Sequence, residues 1–126
     1  MNVLVDSYGW IEYFSNGPLA NKYAKFIEKA NKEKYFTPSI ILFETYKQIK
    51  LMANEQKALE AIGYIIGYTT IIDLDKSISL EASDISIELK LGMADAIIKA
   101  TAEKTNAKIV SSDKHFQKFK ETVFVK

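Results

Sequence analysis

The chain has 126 residues, 48% hydrophobic and 26% charged, with 17 basic against 16 acidic side chains. That size and composition fit one ordinary globular domain over residues 1–126, large enough to bury a core without staples. The near-neutral balance supplies no whole-chain attraction to nucleic acid, the lack of cysteine excludes disulfides and thiolate metal sites, and a single histidine excludes a His-rich cluster.

Any metal site must therefore be built from oxygen, which favours hard cations such as magnesium or manganese. The start, MNVLVDSYGW, lacks the basic flank and long apolar core of a signal peptide, and no apolar run reaches membrane-spanning length. No membrane contact is expected, and the expected location is the cytoplasm.

In chain order, Val3 to Val5 read as a buried strand that delivers Asp6 to its carboxyl end. In open parallel α/β sheets that edge is where ligands bind. Asp6 and Ser7 are also ordinary helix caps, and taken alone Asp6 is better read as a cap. A short helix with Trp10, Ile11 and Phe14 follows and stops at the turn signal Ser15-Asn16-Gly17-Pro18. Leu19, Tyr23, Phe26, Ile27 and Ala30 recur at helical spacing. Tyr35 to Thr37 form a second short strand, and Thr37-Pro38 reads as an N-cap with proline in the first helical turn.

From Ser39 to about Met52 the pattern is helical, with Ile41, Thr45, Ile49 and Met52 on one stripe. Asn54 caps a further helix whose predicted buried face is Ala58, Leu59, Ile62, Ile65 and Ile66. Thr69 to Ile72 give a third strand. Ile78, Ala82, Ile85 and Leu89 mark the next helix, which Gly92 ends. A helix from Met93 to about Lys104, a strand from Ala107 to Ser111, a turn or short helix at Lys114 to Phe119 and an edge strand at Thr122 to Val125 complete the chain. Short β-rich runs alternating with amphipathic helices predict a three-layer α/β sandwich with a mostly parallel sheet. A helical hairpin is inserted between the second and third strands.

Three more acids stand where they could meet Asp6. Glu44 lies in the apolar run Ile40 to Phe43 and by itself reads as a solvent-facing helix residue. Asp95 opens the alanine- and isoleucine-rich segment GMADAIIKATA, where the helix dipole favours an acid. The flanking alanines allow close packing, so this carboxylate is expected to be partly buried and to need a partner. Asp113 follows the strand ending at Ser111 and repeats the placement of Asp6. If the four converge, their repulsion raises some of their pKa values unless a cation neutralises them.

The segments VLVDSYGWIEYF, TPSIILFE and LGMADAIIKATAEKTNAKIVSSDKHF resemble, in order and over essentially the whole chain, the signature segments of PIN-domain ribonucleases, especially the VapC-type toxins of toxin–antitoxin pairs. The resemblance implies a metal site of Asp6, Glu44, Asp95 and Asp113, with Ser111 matching the hydroxyl residue two positions before the last acid. Ser7 matches the small hydroxyl residue after the first acid, whereas Tyr8 stands where many members carry asparagine. It further implies a five-stranded parallel sheet with the first strand central, a Mg2+ or Mn2+ cofactor, an RNA substrate, a homodimer and a cognate antitoxin protein as inhibitor.

His115, beside Lys114, reads as a surface residue, and Lys114, Lys118 and Lys120 as a solvated face able to guide phosphates. Trp10 and Phe14 are expected in the core, or on a dimer surface if exposed, and the apolar faces of the hairpin with Tyr64 and Tyr68 are read equally as a groove for an antitoxin helix or as ordinary core. Two other classes place acids at strand ends or keep the same fold. A phospho-acceptor signalling domain needs an acidic pair after the first strand, but Asp6 has no acidic neighbour, and Asp73 or Asp75 would have to be the acceptor. A non-catalytic binding module of the same fold is disfavoured because all four acids are present.

Overall fold

The β-branched runs are too short to be helices and are bounded by caps and turns, and each forms a strand in the computed structural model, which describes residues 1–126. The order is β1 (Asn2–Val5), α1 (Ser7–Ser15), α2 (Ala20–Ile27), β2 (Phe36–Pro38), α3 (Ser39–Met52), α4 (Glu55–Tyr68), β3 (Thr70–Ile72), α5 (Lys76–Leu89), α6 (Met93–Thr105), β4 (Ala107–Ser111), α7 (Lys114–Gln117) and β5 (Thr122–Phe124).

Strand β1 pairs in parallel with β4, Val5 opposite Val110, and β4 in turn pairs in parallel with β5. Strands β2 and β3 form a second parallel pair. A parallel bridge between Val3 and Tyr35, with the Val3 amide donating to the Lys34 carbonyl at 2.7 Å, joins the two groups. The resulting order is β3-β2-β1-β4-β5, with the first strand central as expected. Leu4, Val5, Ile109 and Val110 are all buried although neighbours point to opposite faces, so helices cover the sheet on both sides. No helix is long and apolar enough to cross a membrane.

The main core gathers Leu4, Trp10, Tyr23, Ile27, Ile41, Ile65, Ile98, Ile109 and Phe116 around the sheet. Helix α6 is buried along most of its length because it serves two cores. Ile98 and Ala102 face the sheet, while Ala96, Ile97 and Ala100 pack with Ile78 and Ala82 of α5. Its small residues permit this close approach. Gly9 performs the same task in α1, where a Cβ would stand 2.6 Å from both the Tyr23 ring and Val5 Cγ1.

Some local expectations give way. Thr37 does not cap α3. It ends up inside β2 with its hydroxyl 2.8 Å from that of Thr69, and Pro38 takes the cap position with no side-chain cap bond. Leu59, Ile66 and Met52 are exposed, because the buried faces of α4 and α3 are the narrower stripes Ala58-Ala61-Ile65 and Ile41-Thr45-Ile49. Asn54 does cap α4, accepting from the Lys57 amide.

Lys99, the one buried lysine, points away from the acids of the strand ends. Its ammonium pairs with Glu121 and, at 3.4 Å, with Glu103, and lies 4.4 Å from the Phe119 ring centre. Burial pushes the Glu121 carboxyl up, but the hydrogen bond from Lys99 and the Lys99 and Lys108 charges outweigh it, so the net shift is downward. A carboxylate with a lowered folded pKa contributes stability above its unfolded pKa and loses it as pH falls through the folded one.

Two stability outcomes follow. Gly9→Ala forces α1 away from Tyr23 and should cost about 1–3 kcal/mol in urea unfolding. Glu121→Gln should cost about 1–2 kcal/mol at pH 7, and its deficit against wild type should close below about pH 4.

Candidate active site

Right-handed parallel connections run each helix back against its strands, so strand ends and helix beginnings meet along one edge of the sheet. Asp6 follows β1, Asp113 follows β4, Asp95 sits in the first turn of α6, and Glu44 lies in the first half of α3. The four expected acids thus come from four elements to the same edge, near enough for their charges to act on one another.

Asp6 is 1% exposed. Because Val5 pairs with Val110, the next residues Asp6 and Ser111 lie side by side, and the wholly buried Ser111 hydroxyl donates to Asp6 Oδ2 at 2.5 Å. The other oxygen, Oδ1, accepts from the Gly9 amide at 3.1 Å and caps α1. Capping and site placement are therefore one arrangement. Burial pushes the Asp6 carboxyl up to about 7; the bonds from Ser111 and Gly9 oppose this, and the Asp113 and Glu44 charges add to it.

The Asp113 amide donates to Ser111 Oγ at 2.9 Å, so one hydroxyl ties both strand-end acids together. Asp113 Oδ1 accepts from the His115 amide at 2.9 Å. Tyr23, fully buried in α2, fixes the turn between them: its hydroxyl accepts from the Ser112 amide at 2.7 Å and bonds the Ser112 hydroxyl at 2.8 Å. Burial raises the Asp95 pKa, the Asp113 charge adds to this, and His115 opposes it. Burial likewise raises Glu44, with Asp95 and Asp113 adding and the Ser7 side chain opposing. Glu44 Oε1 is buried without any hydrogen-bond partner.

Among the ion pairs, no lysine reaches any of the four acids; the single basic side chain on them is His115. Its Nδ1 lies 2.9 Å from Asp95 Oδ2 and 3.2 Å from Asp113 Oδ1. Asp95, Asp113 and His115 each offer a ligand atom, all within 4.8 Å of one another. By sequence His115 is a surface residue. Its side chain is indeed 69% exposed, yet its ring rests on two site acids. The available signal was its position two residues after Asp113, where the first turn of α7 bends back over the strand end. Tyr23 was legible only as a core residue of α2.

Beside Glu44, an open cleft of about 480 Å³ is lined by Ser7, Tyr8, Phe43, Lys47 and Gln48, among others. Tyr8 and Phe43 are 56% and 61% exposed at its rim.

Fold and site together define a doubly wound parallel α/β protein with a carboxylate pocket at the carboxyl ends of its strands. The chain belongs to the PIN domain family, whose model matches residues 3–122. Its fold is similar to that of a toxin–antitoxin complex from Klebsiella pneumoniae, with a TM-score of 0.78 and 23% identity over 97% of this chain and 96% of that one. It is also similar to VapC20 of Mycobacterium tuberculosis, described as a sarcin–ricin loop cleaving toxin, at a TM-score of 0.75 and 12% identity over 92% of each chain. A third similar structure is VapBC2 from Rickettsia felis bound to a DNA fragment of its promoter, at 0.72 and 15% over 98% of this chain and 97% of that one. No protein of curated function matches the chain in sequence.

The raised Asp6 pKa has a consequence for stability. A folded pKa near 7 against an ordinary 3.8 means that wild-type stability is lost as pH rises from about 4 through 7. Asp6→Asn removes the charge and keeps one side-chain oxygen to accept from the Gly9 amide, with its NH2 turned as a donor toward the Ser111 hydroxyl oxygen. In chelator it should be more stable than wild type by on the order of 2–4 kcal/mol at pH 8, with little difference at pH 4, in thermal or urea unfolding.

Proposed function

We propose that the chain is a metal-dependent endoribonuclease that hydrolyses RNA phosphodiester bonds, acting in the cytoplasm as the toxin of a toxin–antitoxin pair. The observation that carries this reading is the convergence of Asp6, Glu44, Asp95 and Asp113 in a PIN domain with no lysine among them. Carboxylates gathered at such cost to their own ionisation call for a cation. The donor set fits a hard divalent ion, Mg2+ or Mn2+: the oxygens belong to carboxylates, and the buried Oε1 of Glu44 has no other partner. Asp6, Glu44, Asp95 and Asp113 would hold it. When bound, the cation supplies Lewis-acid charge to the phosphate and activates water for attack.

The remaining work falls to the chain itself. Ser111 holds the Asp6 carboxylate in place and orders the Asp113 turn, so the acids are pre-arranged before substrate arrives. All 17 basic residues are lysines, so phosphate contacts are point charges rather than bidentate forks. Lys47 in the cleft beside Glu44 and Lys114, Lys118 and Lys120 beyond Asp113 supply them locally. Tyr8 and Phe43 at the cleft rim offer stacking surfaces for unpaired bases, which favours single-stranded substrate.

Two apolar surfaces support protein partners. A groove of about 510 Å³ along α1, α3 and α4, lined by Phe14, Ile49, Met52 and Ala53 among others, fits an amphipathic antitoxin helix. Leu74, Leu80, Ile87 and Met93, exposed on and around α5 and the start of α6, suit the contact of a homodimer. That the similar structures are toxins and toxin–antitoxin complexes supports the same pairing.

The test is cleavage of a panel of single-stranded and structured RNAs with Mg2+ or Mn2+. Asp95→Asn should lower the rate by about 10²-fold or more while the protein stays folded, and chelator should abolish it. Cleavage that survives both changes would overturn the reading.

A further inference from the structure

Composition allows an oxygen-only site, but the folded chain brings one nitrogen to it. His115 Nδ1 stands 2.9 Å from Asp95 Oδ2 and 3.2 Å from Asp113 Oδ1. Neighbouring ligands around an octahedral ion with bonds near 2.1 Å are separated by about 3 Å. The two measured edges therefore match the spacing of adjacent ligands as well as that of hydrogen bonds. His115 is also held in register with one of those acids, since its own amide donates to Asp113 Oδ1. Its ring has no other hydrogen-bond partner in the fold, and its side chain is mostly exposed, so it can adjust without disturbing the core.

We propose that His115 is a nitrogen ligand of the divalent cation held by Asp95 and Asp113, and that it biases the site toward Mn2+ over Mg2+. This rests on the metal-site reading above and adds to it a specificity residue. Mg2+ is satisfied by oxygen and water, whereas imidazole suits the later first-row ions, whose affinity for nitrogen rises along the series from Mn2+. An oxygen-only pocket leaves little to choose between the two ions. One imidazole in the ligand set changes that preference without altering the four acids.

The rival role for the same geometry is a counter-ion: an imidazolium that neutralises Asp95 and Asp113 and leaves when the metal arrives. The two roles predict opposite effects of the same substitution. If His115 is a ligand, His115→Ala weakens Mn2+ binding about tenfold or more and leaves Mg2+ binding within about threefold of wild type. If it is only a counter-ion, removing it frees the acids, and both affinities rise together.

Because this is the single histidine of the chain, the readout can be made residue-specific. Untagged protein labelled with 15N-histidine is loaded with Mn2+ alone and examined by pulsed electron paramagnetic resonance, and Mn2+ and Mg2+ titrations are followed by calorimetry. The expected result is a 15N coupling on the bound Mn2+ and a selective loss of Mn2+ affinity in His115→Ala. No coupling, with Mn2+ and Mg2+ affinities unchanged or raised in parallel, overturns the proposal while leaving the acidic metal site standing. Asp113→Asn separates the two levels: Mn2+ binding that ignores this substitution removes the metal site itself, and this proposal with it. Circular dichroism of each variant confirms that a loss of binding is not a loss of fold.

Discussion

The hydrogen bond from Ser111 to Asp6, made between the ends of two adjacent central strands, is the constraint on which the rest of the site depends. It follows directly from register. With Val5 opposite Val110, the next residue on each strand is polar, and the two side chains share one side of the sheet. A slip of one residue would turn both to opposite faces and place an apolar side chain in the pocket. The same hydroxyl accepts from the Asp113 amide, so one buried oxygen sets the spacing of the two strand-end acids. Around that fixed pair, α6 and α3 need only deliver one carboxylate each.

This arrangement works against the stability of the chain at neutral pH. Asp6 is buried and pushed up to about 7, Asp95 is raised by burial and the Asp113 charge, and Glu44 by burial and the Asp95 and Asp113 charges. A protein built for stability alone would pair them with lysine, and one is available. Lys99 lies one helical turn beyond Asp95, yet it turns to Glu121 and Glu103 and packs over Phe119. The one buried lysine and the four acids are kept apart. Strain of this kind, held by a well-packed surround, is typical of functional sites.

Much of this was legible in the sequence. The alternation of short β-rich runs with amphipathic helices gave the layer order, and Asn54 and the Ala107–Ser111 strand were placed correctly because caps and β-branched runs are local signals. Asp6, Glu44, Asp95 and Asp113 could each be explained singly as a cap or a surface residue, and Asp6 and Asp113 do act as caps. Their joint meaning came from their order along the chain and its likeness to a family pattern. Thr37 was misread because its local signal for a cap was real, but pairing with β3 and the Thr69 hydroxyl satisfied it better. Leu59 and Ile66 were misread because helical spacing marks a face without saying how wide the buried stripe is.

What the sequence determined by itself is therefore the set of elements and their order, since each rests on interactions within a few residues. The four acids were expected as a set only from the likeness of the whole chain to a family. The tertiary structure alone decided the rest: that Tyr23 pins the Ser112 turn, that Lys99 faces away from Asp95, and that His115 lies against Asp95 and Asp113. Tyr23 lies 89 residues from Ser112, and Asp95 lies 20 residues from His115. Such contacts depend on sheet register and on the packing of α2, α6 and α7, and no local periodicity encodes those.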